Sequence, residues 1–384
     1  MTHVLDKKDR DFLSKTLEKV QEKVELVDEA RGNEFTLPTP SEIYEYLDSF
    51  VVGQERAKKI LSVVAHNHFK RLMIYRDSGF EDNARLEKTN CMLIGPTGTG
   101  KTYLVKHLAN MLNVPCYVAD ANSLTASGYV GKDVESLIEG LIDSAGKNYE
   151  AALTGIIFID EFDKIARKTD GTGRRDVGGE SVQQALLKMI EGTTIEVERQ
   201  SSFSKYRFQV DTANILFIFG GAFVGLEEVI AERTTQEVAS IGFGKSIEKE
   251  EVKKSLIHDV KTEDLEKFGF IPEILGRIPL IATLDELTDE DLVRILKDVN
   301  HSLVYQYQKL FDHSDLSLEF TDDGLMEIAK QAKSTGTGAR GLKTLIENVL
   351  LEYMFELHSA KIDKDEVQRI LKVETNEERT AETV

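Results

Sequence analysis

The sequence predicts an α/β fold: a parallel sheet covered by helices, followed by a smaller, mainly helical C-terminal domain. Three observations carry this. Short apolar runs alternate with helix-length segments from about 41 to 283, a glycine-rich turn sits between one such run and the helix after it, and from 284 the apolar spacing is helical. The strands are expected at 91–94, 115–119, 156–159, 215–219 and 279–283. Beyond them Leu287, Leu292, Ile295, Leu296 and Val299 keep helical spacing, and a second apolar helix runs from Leu342 to Leu357. The domain division is therefore a charged arm over 1–35, a large domain over 36–283, a small helical domain over 284–373 and a polar tail over 374–384.

The arm places Leu13, Leu17, Val20, Val24 and Val27 at alternating four and three spacing, the seam of an amphipathic helix or a short coiled coil. It reads equally as a helix docked on the body or as an adaptor or oligomerisation arm. Phe35-Thr36-Leu37-Pro38-Thr39-Pro40 follows as an extended linker, since each proline steers the residue before it away from helix. At the other end, Asn376 to Val384 is polar and is expected to be unstructured.

The glycine-rich turn is Gly95-Pro96-Thr97-Gly98-Thr99-Gly100-Lys101-Thr102, directly after Cys91-Met92-Leu93-Ile94 and before the helical run Tyr103 to Leu112. The bare pattern arises by chance in about one chain in a hundred of this length, and its place between strand and helix makes coincidence rarer. Such a loop curls so that backbone N–H groups face phosphates. Lys101 then reaches the β and γ phosphates of a nucleoside triphosphate, and the Thr102 hydroxyl holds Mg²⁺.

A second acidic site is needed, and Ile156-Ile157-Phe158-Ile159-Asp160-Glu161 supplies it. Four apolar residues in a row suit a strand buried on both faces, and two acids at its end are costly unless they face a cation or a reactive water. Asp160 is assigned to the Mg²⁺ shell and Glu161 to the attacking water as general base. Alone the pair reads as well as a helix N-cap; about sixty residues after a phosphate loop, hydrolysis explains it better.

Composition bounds the setting. The 384 residues have a formal net charge of −19, against a surface built for nonspecific nucleic-acid binding. Two cysteines, Cys91 and Cys116, both in expected core strands, support neither a disulfide framework nor a cysteine zinc site. With no apolar signal core and no membrane-length apolar run, the expectation is a cytoplasmic protein without zinc.

The order of elements resembles the AAA+ P-loop ATPases, and the segments are similar to the branch of unfoldases that feeds a barrel-shaped, ClpP-type peptidase. The likeness spans most of 36–373. It implies that Val51-Val52-Gly53-Gln54 wraps the adenine of ATP, with Val51, Val52 and Tyr103 in the nucleotide site. It further implies that Arg277, in FIPEILGRIP, is an arginine finger reaching a neighbouring subunit's nucleotide. Arg340, in Gly338-Ala339-Arg340-Gly341, would be the second sensor of the nucleotide. Pattern alone reads either arginine as a surface ion-pair partner.

The same resemblance assigns the mechanical segments. Tyr129-Val130, between Gly128 and Gly131, matches a pore loop that grips polypeptide, and an aromatic on a mobile loop suits contact without sequence reading. Arg167 to Ser181, too rich in glycine and charge for regular structure, is similar to a second pore loop, although its arginines suit nucleic acid equally. Ile241-Gly242-Phe243 reads from pattern as a satellite core and from the resemblance as the loop that docks the peptidase. A finger acting in trans implies a ring, and the resemblance implies that the ring is a homo-hexamer acting on unfolded or tagged proteins.

Departures from the pattern are equally visible. The zinc-binding domain that normally begins such chains is replaced by the cysteine-free arm, which touches adaptor use. A basic substrate loop expected near Arg199 to Phe208 reads RQSSFSKYRF, and Ile215 to Phe219 runs into Gly220-Gly221 without a polar sensor. A sister family with a large insertion after the hydrolysis strand is disfavoured, because about 50 residues between Glu161 and Ile215 leave little room for it. A peptidase-independent remodelling chaperone and a nucleic-acid-associated motor are the other readings.

Overall fold

The computed structural model describes residues 37–77, 86–125, 132–146, 148–167, 177–200, 205–240 and 256–381. In chain order these form α1 (Pro40–Asp48), α2 (Glu55–Asp77), β1 (Cys91–Ile94), α3 (Lys101–Leu112), β2 (Cys116–Asp120), β3 (Leu124–Thr125), β4 (Lys132–Asp133), α4 (Ser136–Ser144), α5 (Tyr149–Ala152) and β5 (Ile156–Asp160). There follow α6 (Val177–Glu191), β6 (Thr194–Gln200), β7 (Lys205–Asp211), β8 (Leu216–Gly221), α7 (Leu226–Ser240), α8 (Thr262–Phe268), α9 (Pro272–Gly276) and β9 (Leu280–Thr283). The C-terminal part comprises α10 (Asp289–Lys297), α11 (Leu303–Asp312), β10 (Leu318–Phe320), α12 (Asp322–Ser334), α13 (Ala339–Glu356), β11 (Ala360–Ile362) and α14 (Lys364–Ala381).

The main sheet has the order β2-β5-β8-β1-β9, and every pairing in it is parallel. Its central strands are apolar throughout because both faces are covered, and the side chains alternate between two cores. Met92, Ile94, Ile157, Ile159, Phe217 and Phe219 face one core with α4, α6 and α7; Cys91, Leu93, Ile156, Phe158, Leu216 and Ile218 face the other with α2 and α3. A third core, from Leu287 to Val367, holds the C-terminal helices together. Both cysteines are free, Cys91 buried and Cys116 partly so.

The five expected strands are present, the first with the expected ends and the others with ends shifted by at most two residues. Four readings need correction. Pro40 opens α1 instead of extending the linker: Thr39 caps the helix in a capping box with Glu42, and proline is suited to the first helical position. Regular structure resumes at Val177 inside the segment read as irregular; Gly179 is accommodated there because a Cβ would lie 2.6 Å from the Ile165 carbonyl oxygen. The stretch near Arg199 to Phe208 has its two ends in paired antiparallel strands, with Arg199 opposite Tyr206 and Gln200 opposite Lys205, while 201–204 lie outside the described residues. Finally, α14 continues to Ala381, through the tail expected to be unstructured. Asp365 and Glu366 complement the helix dipole in its first turn, and Glu377, Glu378, Arg379 and Ala381 are good helix formers.

Candidate nucleotide-binding site

Parallel strands gather their carboxyl ends on one edge, and ligands of such sheets bind where neighbouring connections leave in opposite directions. Here β1 lies between β8 and β9, and its carboxyl end is held on both sides: Gly95 N–H donates to Gly221 O (3.2 Å) and Leu284 N–H to Ile94 O (2.7 Å). The chain then turns through Gly98 and Gly100, both at positive φ, into α3. Lys101 is buried, its ammonium donating to Gly95 O (2.5 Å) and Pro96 O (2.9 Å), and Thr99 Oγ1 donates to Pro96 O (2.9 Å). The loop thus folds around its own lysine. Burial pulls the Lys101 ammonium down to about 8; the Arg340 charge pushes the same way, while Asp160 and Asp163 oppose it.

At the end of β5, one strand beyond β8, Asp160 Oδ2 accepts from Thr102 Oγ1 at 2.8 Å. Two oxygens so placed, one a carboxylate, fit a small hard cation that completes its shell with water and phosphate. Among the described residues no group of three or more His, Cys, Asp and Glu side chains could hold a metal. Glu161 follows at φ 54°, its N–H donating to Asp160 Oδ1 (2.9 Å), and its Oε2 accepts from Asn122 Nδ2 (2.5 Å). A non-glycine residue in this left-handed region is a strained feature of the kind found at functional sites. Asn122 itself also donates to Asp120 Oδ1, so it ties the ends of β2 and β5 together at the acid.

Gly98 to Thr102 and Asp160 border a cleft of about 670 Å³ between the sheet and the C-terminal helices. Val51 and Val52 line it from before α2, and Leu287, Ile295 and Val299 from the helical part. Tyr103 borders it too, its ring edge-on to His107 (4.2 Å between centroids), and His107 stacks on Phe50 at 4.1 Å. Arg340 lies in the first turn of α13, on the cleft wall. The helix start touches the phosphate loop: a Cβ on Gly98 would come within 3.0 Å of Thr337 O, so only glycine fits at this left-handed position.

The other sequence-derived residues separate into two groups. Gly95 to Thr102, Tyr103, Val51, Val52, Asp160 and Arg340 come together, with Glu161 at the edge. Arg277 does not join them: it caps α9 and makes a half-exposed ion pair with Glu191 (2.9 Å). Tyr129, Val130, Ile241, Gly242 and Phe243 lie outside the described residues. Sequence reasoning missed Asn122 and Asp163, and it grouped Gln54 with the adenine segment without the two hydrogen bonds its side chain makes to the Asp285 backbone. Asp163 is buried, and its carboxylate accepts from Ala222 N–H (3.1 Å) just past β8, where no polar sensor was found. Its proximity to the Asp160-Glu161 pair was the available signal.

A phosphate loop and an acidic strand end on this five-strand parallel sheet, with a helical part closing the cleft, define an AAA+ ATPase, which binds nucleotide. The family model of the AAA domain (Cdc48 subfamily) matches residues 86–281, and that of the C-terminal, D2-small domain, of ClpB protein matches 287–373. The ATP-dependent Clp protease ATP-binding subunit ClpX of Treponema denticola is 46% identical over 335 residues, 86% of this chain and 80% of that protein. The chain belongs to the ClpX family of AAA+ ATPases. No helix among the described residues is long and apolar enough to cross a membrane.

Proposed function

We propose that this chain is an ATP-dependent protein unfoldase and translocase, working in the cytoplasm as a homo-hexamer and passing unfolded or tagged proteins to a ClpP-type peptidase. The observation that carries the reading is the single cleft that collects Lys101, Thr102, Asp160 and Arg340 from both parts of a ClpX-family chain. ATP is the substrate. Backbone N–H groups of 98–102 and the Lys101 ammonium bind its phosphates, and Val51 and Val52 pack on its base. Thr102 and Asp160 hold Mg²⁺, which neutralises phosphate charge. Glu161 takes the proton of the attacking water. Arg340 senses the γ phosphate from within the chain, and Arg277 does so from the neighbouring subunit. No zinc is required.

Residues 36–283 act as the large domain and 284–373 as the small one, whose relative motion transmits hydrolysis to the pore. There Tyr129 and Val130 grip polypeptide, and Ile241-Gly242-Phe243 docks the peptidase. The test is loss of fluorescence from a stably folded, peptide-tagged reporter given ATP, with and without a purified ClpP-type peptidase. Loss that needs both supports the reading. Loss with ATP alone, scored with a trap for the unfolded reporter, marks a peptidase-independent remodeller; DNA-stimulated ATPase without reporter loss overturns the proposal in favour of a nucleic-acid motor.

A further inference from the structure

Between the last residue of β9 and the first of α10 the chain crosses from the sheet to the helical part in five residues, 284–288. Asp285 is gripped in this crossing from two sides. Gln54, buried and held at φ 59°, donates from Nε2 to Asp285 O (2.8 Å) and accepts from Asp285 N–H at Oε1 (2.8 Å). One side-chain amide therefore satisfies both backbone groups of a residue 231 positions away. On the side-chain side, His258 Nε2 lies 2.8 Å from Asp285 Oδ1, and its Nδ1 lies 2.7 Å from Thr283 Oγ1. A neutral imidazole carrying its proton on Nε2 fits both contacts, donating to the carboxylate and accepting from the Thr283 hydroxyl.

The grip is continuous with the nucleotide cleft. Gln54 stands two residues after Val52, and Leu287, two residues after Asp285, lines the same cleft. The helical part touches the sheet part again where Asn300 N–H donates to Ser49 O (2.8 Å), and at Gly98, against which the start of α13 rests. Because the third core packs α10, α12 and α13 as one body, a change of direction at Asp285 moves Arg340 relative to the phosphate loop.

We infer that Gln54 and His258 are positioning residues: they fix the angle of the crossing at Asp285 and so the fraction of molecules in which Arg340 faces the bound phosphates. The inference rests on the reading of Arg340 given above. A nucleotide that needs the closed arrangement binds with an apparent affinity reduced by the fraction of molecules lacking it, while sites that do close turn over normally.

The test uses the full chain, with steady-state ATPase and titration of a fluorescent, non-hydrolysable ATP analogue, for His258→Ala, His258→Gln, Asp285→Ala, Gln54→Ala and Arg340→Ala. Expected are a three- to ten-fold rise, on the order given by such a population shift, in both the ATP KM and the analogue Kd for His258→Ala, with kcat within about two-fold. His258→Gln, which retains a donor for Asp285, restores most of the affinity, and His258→Ala combined with Asp285→Ala is no worse than the weaker single variant. Gln54 is buried, so its variant is scored only beside its unfolding temperature; half-buried His258, with its Gln variant as the folding control, decides the matter. Unchanged KM in His258→Ala, or a loss confined to kcat that Gln does not rescue, overturns the inference. If Arg340→Ala weakens binding while His258→Ala does not, the clasp fails and the Arg340 reading stands; if Arg340→Ala leaves binding unchanged, both fall.

Discussion

At the residue scale, the least expected arrangement is a buried cationic cluster far from the nucleotide. His68 Nε2 lies 3.1 Å from Asn214 O, Arg71 donates to Ala213 O (2.5 Å) and Lys88 to Thr212 O (3.0 Å), so three side chains secure three consecutive carbonyls between β7 and β8. His68 Nδ1 and Arg71 Nε are buried with no hydrogen-bond partner among the described residues. Burial, reinforced by Arg71 and Lys88, lowers His68 to about 3 from an ordinary 6.5. The folded chain therefore refuses a proton that the unfolded chain accepts: the stability is complete above pH 6.5 and is lost as pH falls toward 3. Chemical denaturation between pH 6 and 4 should show stability falling with a contribution from this site of up to about 1.4 kcal/mol per pH unit. His68→Gln, which can still donate to Asn214, should flatten that slope; an unaltered slope would show that His68 is protonated normally in the fold.

Among elements, what was legible in the sequence depended on how local the cause is. The strands of the main sheet could be read because burial on both faces demands unbroken apolar runs such as Leu216 to Phe219, and the meeting of Lys101, Thr102 and Asp160 at one cleft because each adjoins a strand end on the same edge of the sheet. The hairpin β6–β7 was passed over although Ile195 and Val197 alternate with polar residues, since the charged stretch after them masked the period of two. Asn122, His258 and the hold of Gln54 on Asp285 were illegible for a different reason: each acts on backbone or side chains 25 to 231 positions away, which no local pattern encodes. Packing between β5 and β8 gives a test of how tight the readable part is. A Cβ on Gly220 would lie 2.4 Å from Phe158 Cζ, a fully buried ring in the centre of the sheet. Gly220→Ala should cost about 1–3 kcal/mol as an overpacked core does, seen as a lower unfolding temperature, and Phe158→Leu in the same chain should return part of it. Equal stability of Gly220→Ala and the parent would mean that the two strands separate more easily than their register implies.

For the whole molecule, the placement of Arg277 decides whether one chain is a complete enzyme. Its guanidinium is half-exposed at the end of α9 and paired with Glu191 at the end of α6, and it is not among the residues that border the chain's own cleft. Exposed ion pairs contribute little to folding, so this arginine can leave Glu191 for a stronger anion at small cost. If that anion is the phosphate of a neighbour, every site needs Glu161 from one subunit and Arg277 from the next. Both variants should then bind nucleotide yet lose hydrolysis, Arg277→Ala by about 10³-fold or more and Glu161→Gln by about 10²- to 10⁴-fold. Mixing the two inactive variants should restore activity, because a Glu161→Gln subunit still offers its Arg277 to an Arg277→Ala neighbour whose Glu161 is intact. In a randomly mixed ring a quarter of the interfaces carry both groups, so about a quarter of the parent rate is the ceiling for that recovery. Activity that stays at the level of the separate variants would mean that Arg277 and Glu161 serve the same subunit's nucleotide, and that hydrolysis does not require the ring.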